Sequence, residues 1–183
     1  MPVIVSLLRG INVGGHHKIG MAALRSLYES LRLKEPQTLL QSGNVIFRTD
    51  ERDLASVQNR IEAAIERTFG FRPALILRTA AQMRDAAGRN PFAARSGINP
   101  SRLVVMFLGA EPSAEIRDRI LRLPAEPEEL HIAGREIFVY CPNGTSRTRL
   151  SWPEVEKALR MPVTGRNWNT VTKLVEMAAK LGG

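Results

Sequence analysis

The residues best suited to binding chemistry lie in one segment near the start of the chain, residues 9–20, which we call the glycine loop. Four glycines among the eleven residues from Gly10 to Gly20 let the backbone turn where larger side chains would clash. Arg9 and Lys18 add positive charge, and two histidines lie beside Lys18. Backbone N–H groups and cationic side chains together bind anions. The glycine loop is therefore predicted to bind an anion.

The glycine loop leads into a helix that is predicted to begin at Met21. A helix start favours negative charge by about 0.3–1 kcal/mol per group. Residues 21–24 nevertheless contain no acid, and Lys18 comes shortly before them. An external anion held by the free backbone N–H groups would account for this arrangement. The alternative is that Lys18 points into water and that the glycines only form a turn.

A second turn is expected beside the glycine loop. Residues 38–41 and 44–48 are predicted strands that flank the two-residue turn Ser42-Gly43. A right-handed βαβ crossover makes the first two strands parallel, so their ends meet at one edge of the sheet. The candidate ligand-binding residues at this edge are Arg9, Asn12, Gly14, Gly15, Lys18, Ser42 and Asn44.

A second cationic helix start is predicted near the end of the chain. Arg166 precedes a helix that Asn167 can cap, and no acid follows in the first turn. Trp168 could stack on a planar ligand, or it could belong to the core because Val171 and Val175 follow it at helical spacing. We add Arg166, Asn167 and Trp168 to the candidate ligand-binding residues.

The first half of the chain has the element order of a ferredoxin-like fold. An apolar run over 3–8 and the helix from Met21 come before the two hairpin strands. A second helix, which Asp50 can cap and Gly70 can end, precedes a strand over 73–79. The order strand, helix, strand, strand, helix, strand is the split βαβ arrangement.

The second half repeats this order only in part. It has predicted strands over 102–108, 129–132 and 135–140, with helices that begin after Ser113 and Ser151. No final strand is predicted, and the helix from Trp168 takes its place. The fold class is therefore α+β with two subdomains, the first ferredoxin-like (βαββαβ) and the second a partial repeat (βαββ followed by helices). The predicted boundaries are 1–87 for the first subdomain with a short added helix, 88–101 for a linker rich in breakers, and 102–183 for the second subdomain with its C-terminal helices.

Composition excludes several classes of protein. Hydrophobic residues make up 44% and charged residues 24% of the chain, which is ordinary globular usage. No apolar run approaches the roughly 20 residues of a membrane-spanning helix, and the first residues lack a basic leader and a cleavage site. The single Cys141 cannot form an internal disulfide, which agrees with a reducing compartment. We therefore predict a cytoplasmic protein with no membrane partner.

The chain carries no motif of a known cofactor site or catalytic centre. The glycine loop lacks the G-x-G-x-x-G fingerprint, and His16 stands where a P-loop has its lysine. No metal site is predicted, because His16 and His17 are adjacent and point apart and Cys141 has no nearby sulfur partner. The cofactor, the catalytic residues and whether the protein is an enzyme are left open.

Four short motifs stand out along the chain. They are Leu8-Arg9-Gly10-Ile11-Asn12-Val13-Gly14-Gly15, Gln41-Ser42-Gly43-Asn44-Val45-Ile46-Phe47, Asn90-Pro91-Phe92 and Arg166-Asn167-Trp168-Asn169-Thr170. Together they resemble the bacterial domain of unknown function 1697 family over essentially the whole chain. The resemblance implies two α+β subdomains, at least one of them ferredoxin-like, and it implies no activity, cofactor or catalytic residue. That family usually has Lys or Asn after the paired glycines, where this chain has His16 and His17.

Three functions are compatible with the sequence. The motifs favour a module, with or without enzymatic activity, that binds a small phosphate-bearing or carboxylate ligand at its glycine-rich loops. The net charge of +8 favours a nucleic-acid-binding protein instead. Aromatic residues, however, are only 5% of the chain, and the third strand offers Phe47 alone where an RRM places several stacking rings. The third candidate is an interaction or scaffold protein, and the oligomeric state is left open.

Overall fold

The computed structural model describes residues 1–183 and contains two four-stranded antiparallel sheets, each with its own helices. The predicted α+β class is therefore confirmed. Contacts between residues group the chain into two units, one formed by Met1–Asp85 with Lys173–Gly183 and the other by Ala86–Thr172. Each unit contains one sheet. The boundaries predicted at 87 and 102 stay a prediction.

The first unit has the ferredoxin-like order of elements. The sheet order is β2-β3-β1-β4, with β1 in the interior, and all six residues of β1 are buried. The elements are β1 (Val3–Leu8), α1 (Met21–Ser30), β2 (Lys34–Leu39), β3 (Asn44–Arg48), α2 (Leu54–Phe69), β4 (Leu75–Thr79) and the start of α3 (Ala80–Gly88).

Alternate residues of β1 build the core that fixes the position of α1. Ile4 and Leu8 pack in one cluster with Leu24 of α1 and Ile61 of α2, and burial of each such side chain contributes about 1.5–3 kcal/mol. Between them the Ser6 hydroxyl lies 2.6 Å from the hydroxyl of Tyr28, so this polar pair is satisfied inside the core. Burial raises the pKa of Tyr28, which keeps the phenol neutral.

The second strand and its turn differ from the prediction. The strand occupies Lys34–Leu39 instead of 38–41, and four residues from Leu40 to Gly43 form the turn instead of two. Leu40 has a φ of +57°, so the chain leaves the strand before Gln41. Pro36 lies within β2. It is tolerated because β2 is an edge strand.

The cap of α2 also lies later than predicted. The helix begins at Leu54, and the Asp53 carboxylate accepts hydrogen bonds from the N–H groups of Ala55 and Ser56 at 3.1 and 3.2 Å. Asp50 is instead paired with the N-terminal amine of Met1 at 3.4 Å. The predicted end at Gly70 is confirmed by its φ of +81°.

The second unit is a complete repeat of the first, which corrects the expectation of a partial one. Val163–Asn167, expected to lie outside any strand, forms β8 and pairs with β5, giving the sheet order β6-β7-β5-β8. The elements are β5 (Leu103–Leu108), α4 (Ala114–Leu121), β6 (Glu129–Ala133), β7 (Glu136–Tyr140), α5 (Trp152–Leu159), β8 (Val163–Asn167) and the start of α6 (Trp168–Lys180).

Gly43 brings the β2–β3 turn close to the end of β1 and to Ile11 of the glycine loop. Its carbonyl accepts a hydrogen bond from Leu8 N–H at 2.8 Å, and its φ is +83°. A Cβ atom at this position would lie 2.8 Å from Leu8 Cβ and 3.0 Å from the side chain of Ile11. Only glycine fits both the backbone angle and the space.

We expect Gly43→Ala to lower the free energy of unfolding by about 2–4 kcal/mol, because left-handed strain adds to the overpacking against Leu8. Urea denaturation measures the change. The matched control is Gly88→Ala at the end of α3, where nothing lies within 4 Å of the added methyl group and the effect should be near zero. Equal losses in the two variants would contradict the close approach.

Candidate functional site

The glycine loop folds back on itself directly after β1. Asn12 N–H donates to His17 O at 3.1 Å, and His16 N–H donates to Val13 O at 3.0 Å. This tight course requires left-handed backbone angles, which glycine and asparagine tolerate best. The residues with positive φ are Gly10, Asn12, Gly14, Gly15 and His17.

The side chain of Asn12 ties the glycine loop to the β2–β3 turn. Its amide nitrogen donates to Gln41 O at 2.8 Å and to Ile19 O at 3.0 Å, and its amide oxygen accepts from Ile19 N–H at 2.8 Å. The contact with Gln41 spans 29 residues of sequence, as the parallel placement of the first two strands predicted. The amide donors and acceptor are therefore engaged with the protein's own backbone.

His17 is held against the body of the unit by its ring. The ring stacks on Phe71 with centroids 4.1 Å apart and planes 15° apart. Its Nδ1 lies 3.1 Å from Gly10 O, and since a carbonyl only accepts, Nδ1 carries the proton. The ring thus supports the loop from the side, while Lys18 remains exposed.

The start of α1 differs from the starts of the other helices. Gly20 is its N-cap residue, no side chain caps it, and its first turn contains no acid. The first N–H groups of a helix have no partner within the helix, so those of α1 are left to other acceptors. Side chains cap the other five helices at Asp53, Thr79, Ser113, Ser151 and Asn167.

These features surround a cleft of about 380 Å³, which we call the α1 cleft. Lys18, whose ammonium has no hydrogen bond or ion pair, lines this cleft together with Gly20 and Met21 at the uncapped helix start. The candidates predicted from the sequence did not include Ile19, Gly20, Met21 and Gln41, although each lies close to a predicted turn or helix start. The lining residues are Asn12, Gly15, Lys18, Ile19, Gly20, Met21 and Gln41.

The remaining predicted residues of this edge lie around the cleft without lining it. Asn44 is fully buried, and its amide nitrogen donates to Leu39 O at 2.8 Å and to Ser42 Oγ at 3.0 Å. Ser42 and Asn44 thus shape the β2–β3 turn. Arg9 is exposed, with its backbone N–H bonded to Ala74 O at 2.9 Å, and Gly14 lies at the exposed tip of the loop.

The predicted residues near the chain end belong to the second unit and form a separate group. Arg166 is buried on β8, where it donates to Thr164 Oγ1 at 2.7 Å and to Gly165 O at 2.8 Å. Burial lowers its pKa to about 10. Asn167 caps α6 through Asn169 N–H at 2.9 Å, as predicted, and half-buried Trp168 begins that helix.

No group of three or more His, Cys, Asp or Glu side chains is placed to hold a metal ion. Cys141 is fully buried, and burial raises its pKa to about 11, so its thiol is protonated at neutral pH. His131 is exposed, and its ring packs edge-on against Phe92 with centroids 5.1 Å apart. These surroundings do not activate Cys141 as a nucleophile.

None of the Phe, Trp and Tyr side chains is exposed. Phe47, the one aromatic residue of β3, packs against Tyr28 with ring centroids 5.5 Å apart and lies in the core. It therefore cannot stack on a base as the sheet aromatics of an RRM do.

None of the helices is both long and apolar enough to span a membrane.

Comparisons with known proteins identify relatives but no activity. The family model described as Protein of unknown function (DUF1697) matches residues 1–138. Among solved structures, the chain is similar to the conserved bacterial protein SP0830 from Streptococcus pneumoniae, with a TM-score of 0.73 at 22% identity. The alignment covers 97% of this chain and 98% of that one, and at this identity it shows the fold alone. No curated protein matches the chain.

The structure predicts that Asn12 contributes more to stability than an ordinary exposed loop residue. Asn12→Gly keeps the φ of +53° but removes three hydrogen bonds, so we expect a loss of about 2–3 kcal/mol in the free energy of unfolding. Asn12→Ala should lose about 1–2 kcal/mol more, because alanine strains the left-handed backbone. Urea denaturation compares both variants with Asn59→Ala, an exposed change on α2 that should be near neutral. A loss below 1 kcal/mol for Asn12→Gly would show that the three hydrogen bonds of the Asn12 side chain contribute little to stability.

Proposed function

Because the chain belongs to the DUF1697 family of proteins of unknown function, its activity has to be inferred from its own residues, and we propose that it binds a small phosphate-bearing or carboxylate ligand in the α1 cleft. The observation that supports this proposal is the uncapped start of α1 facing the cleft beside the Lys18 ammonium. Unsatisfied N–H groups and the positive end of the helix dipole attract an anion to the same point.

The second unit provides an internal comparison for this proposal. Helix α4 follows β5 as α1 follows β1, but Ser113 caps it at 3.3 Å and Glu115 places a carboxylate in its first turn. In α4 the protein itself thus provides a side-chain acceptor for an N–H group and a negative charge near the helix start. Helix α1 has neither, and Lys18 adds positive charge where α4 has a negative one.

We assign some of the predicted binding residues to contact with the ligand and others to holding the surrounding turns in place. We assign ligand contact to Lys18 and to the backbone of Gly15, Gly20 and Met21, which line the cleft. Arg9 adds positive charge to the same loop.

Asn12, Ser42 and Asn44 hold the two turns in place through their hydrogen bonds. Arg166, Asn167 and Trp168 are not part of this site in the proposal. Cys141, the single cysteine, favours a cytoplasmic setting.

The proposal is tested by filling the anion site with a side chain. Gly20 has a φ of −68° and nothing within 4 Å of an added Cβ, so Gly20→Asp is sterically allowed. Its carboxylate should cap α1 and raise the free energy of unfolding by about 0.3–1 kcal/mol. The same variant should abolish the rise in melting temperature that inorganic phosphate or pyrophosphate produces in the unmodified protein at constant ionic strength.

Lysine variants supply the matched control. Lys18→Ala should weaken phosphate binding roughly threefold, since one charge near a helix start contributes about 0.3–1 kcal/mol. Lys34→Ala, which removes an exposed lysine from β2, should leave binding unchanged. If phosphate stabilises the Gly20→Asp variant as much as the unmodified protein, the anion binds elsewhere and the proposal fails.

A further inference from the structure

A larger cleft in the second unit contains an unsatisfied buried carboxylate. Its volume is about 680 Å³, within the roughly 300–1,000 Å³ of pockets that hold small organic molecules. The lining combines three carboxylates with one guanidinium. The residues that line it are Glu126, Pro127, Glu128, Glu129, Asn143 and Arg149.

Glu128 is the informative member of this lining. Its residue exposure is 4%, and its Oε2 accepts a hydrogen bond from the backbone N–H of Arg149 at 3.1 Å. Its other oxygen, Oε1, is buried and has no hydrogen-bond partner. A buried acceptor without a donor is costly, and more so when it is ionised. The protein therefore supplies no donor for one oxygen of this carboxylate.

The other charges of the cleft show what kind of donor fits. Glu129 is already paired with Arg95 at 2.7 Å. Glu126 and the Arg149 guanidinium are exposed, and neither forms an ion pair. The lining thus contains an acceptor-only carboxylate at Glu128 and a guanidinium without an ion pair at Arg149, which are charges of opposite sign in one cleft.

We propose that this cleft binds a small zwitterion of the amino-acid class, with Glu128 accepting from the ammonium group of the ligand and Arg149 donating to its carboxylate. An ammonium group has three N–H donors and no acceptor, so it satisfies a carboxylate without adding an unpaired acceptor. A guanidinium binds a carboxylate through two parallel hydrogen bonds. This inference is independent of the function proposed for the α1 cleft.

Thermal shift and calorimetric titration with each of the free proteinogenic amino acids test the proposal. At least one amino acid should raise the melting temperature and bind with a measurable heat. Its N-acetyl derivative should not bind, because acetylation removes the ammonium charge, and the corresponding decarboxylated amine should bind more weakly. If none of the amino acids binds, the proposal is overturned.

Two variants separate the assigned roles. Glu128→Gln keeps the shape of the side chain but removes its charge, and affinity for the amino acid should fall roughly tenfold or more. Arg149→Met keeps the backbone N–H that holds Glu128, so it should weaken binding of the amino acid and leave binding of the amine unchanged. Glu111→Gln, an exposed change outside the cleft lining, is the control and should alter neither.

The variants also give results that would contradict the assignment. Binding that persists unchanged in both Glu128→Gln and Arg149→Met would place the ligand elsewhere on the protein. An equal loss of amino acid and amine in Arg149→Met would mean that Arg149 supports the cleft instead of contacting the carboxylate. A crystal structure that pairs the Arg149 guanidinium with Glu128 Oε1 would leave no unsatisfied acceptor and would end the proposal.

Discussion

The hydrogen bonds of one amide, that of Asn12, hold together two turns that lie far apart in sequence. The amide bonds Ile19 within the glycine loop and Gln41 in the β2–β3 turn. Because Ile19 and Gln41 both line the α1 cleft, Asn12 links two walls of that cleft. The close approach of Gly43 to Leu8 brings the two turns near enough for this bridge to form.

The two units share one topology but differ in the connection between the interior strand and the helix that follows it. Both place a strand in the interior of the sheet, pair it on either side and follow it with a helix. After β5 the chain reaches the capping Ser113 within five residues, and α4 begins with a side-chain cap and an acid in its first turn. After β1 it takes the twelve residues of the glycine loop and enters α1 without a cap. The second unit forms the same sheet topology with a short, capped connection, so the fold itself requires neither the added length nor the missing cap of the first unit.

Local sequence patterns predicted the elements whose burial is one-sided or complete. The apolar run of β1, the end of α2 at Gly70 and the helix starts after Ser113 and Ser151 all agree with the structure. Strand β8 was missed because its sequence, VTGRN, has one apolar residue and a glycine. It becomes a strand through pairing with β5, and Thr164 and Arg166 are buried in spite of their polarity. Such a strand depends on contacts between distant residues, which a local pattern does not record.

The same limit applies to the candidate site. Topology alone correctly brought the glycine loop to the β2–β3 turn, because the direction of each strand follows from the order of elements. Residue type could not show which polar groups form hydrogen bonds within the protein itself. Asn12, Asn44 and Arg166 all hydrogen-bond backbone carbonyls, so their polarity is used in the structure. The groups left over, Lys18 and the first N–H groups of α1, become visible only after the protein's own hydrogen bonds are assigned. A binding group is recognised by the absence of an internal partner, and that absence is a property of the folded chain.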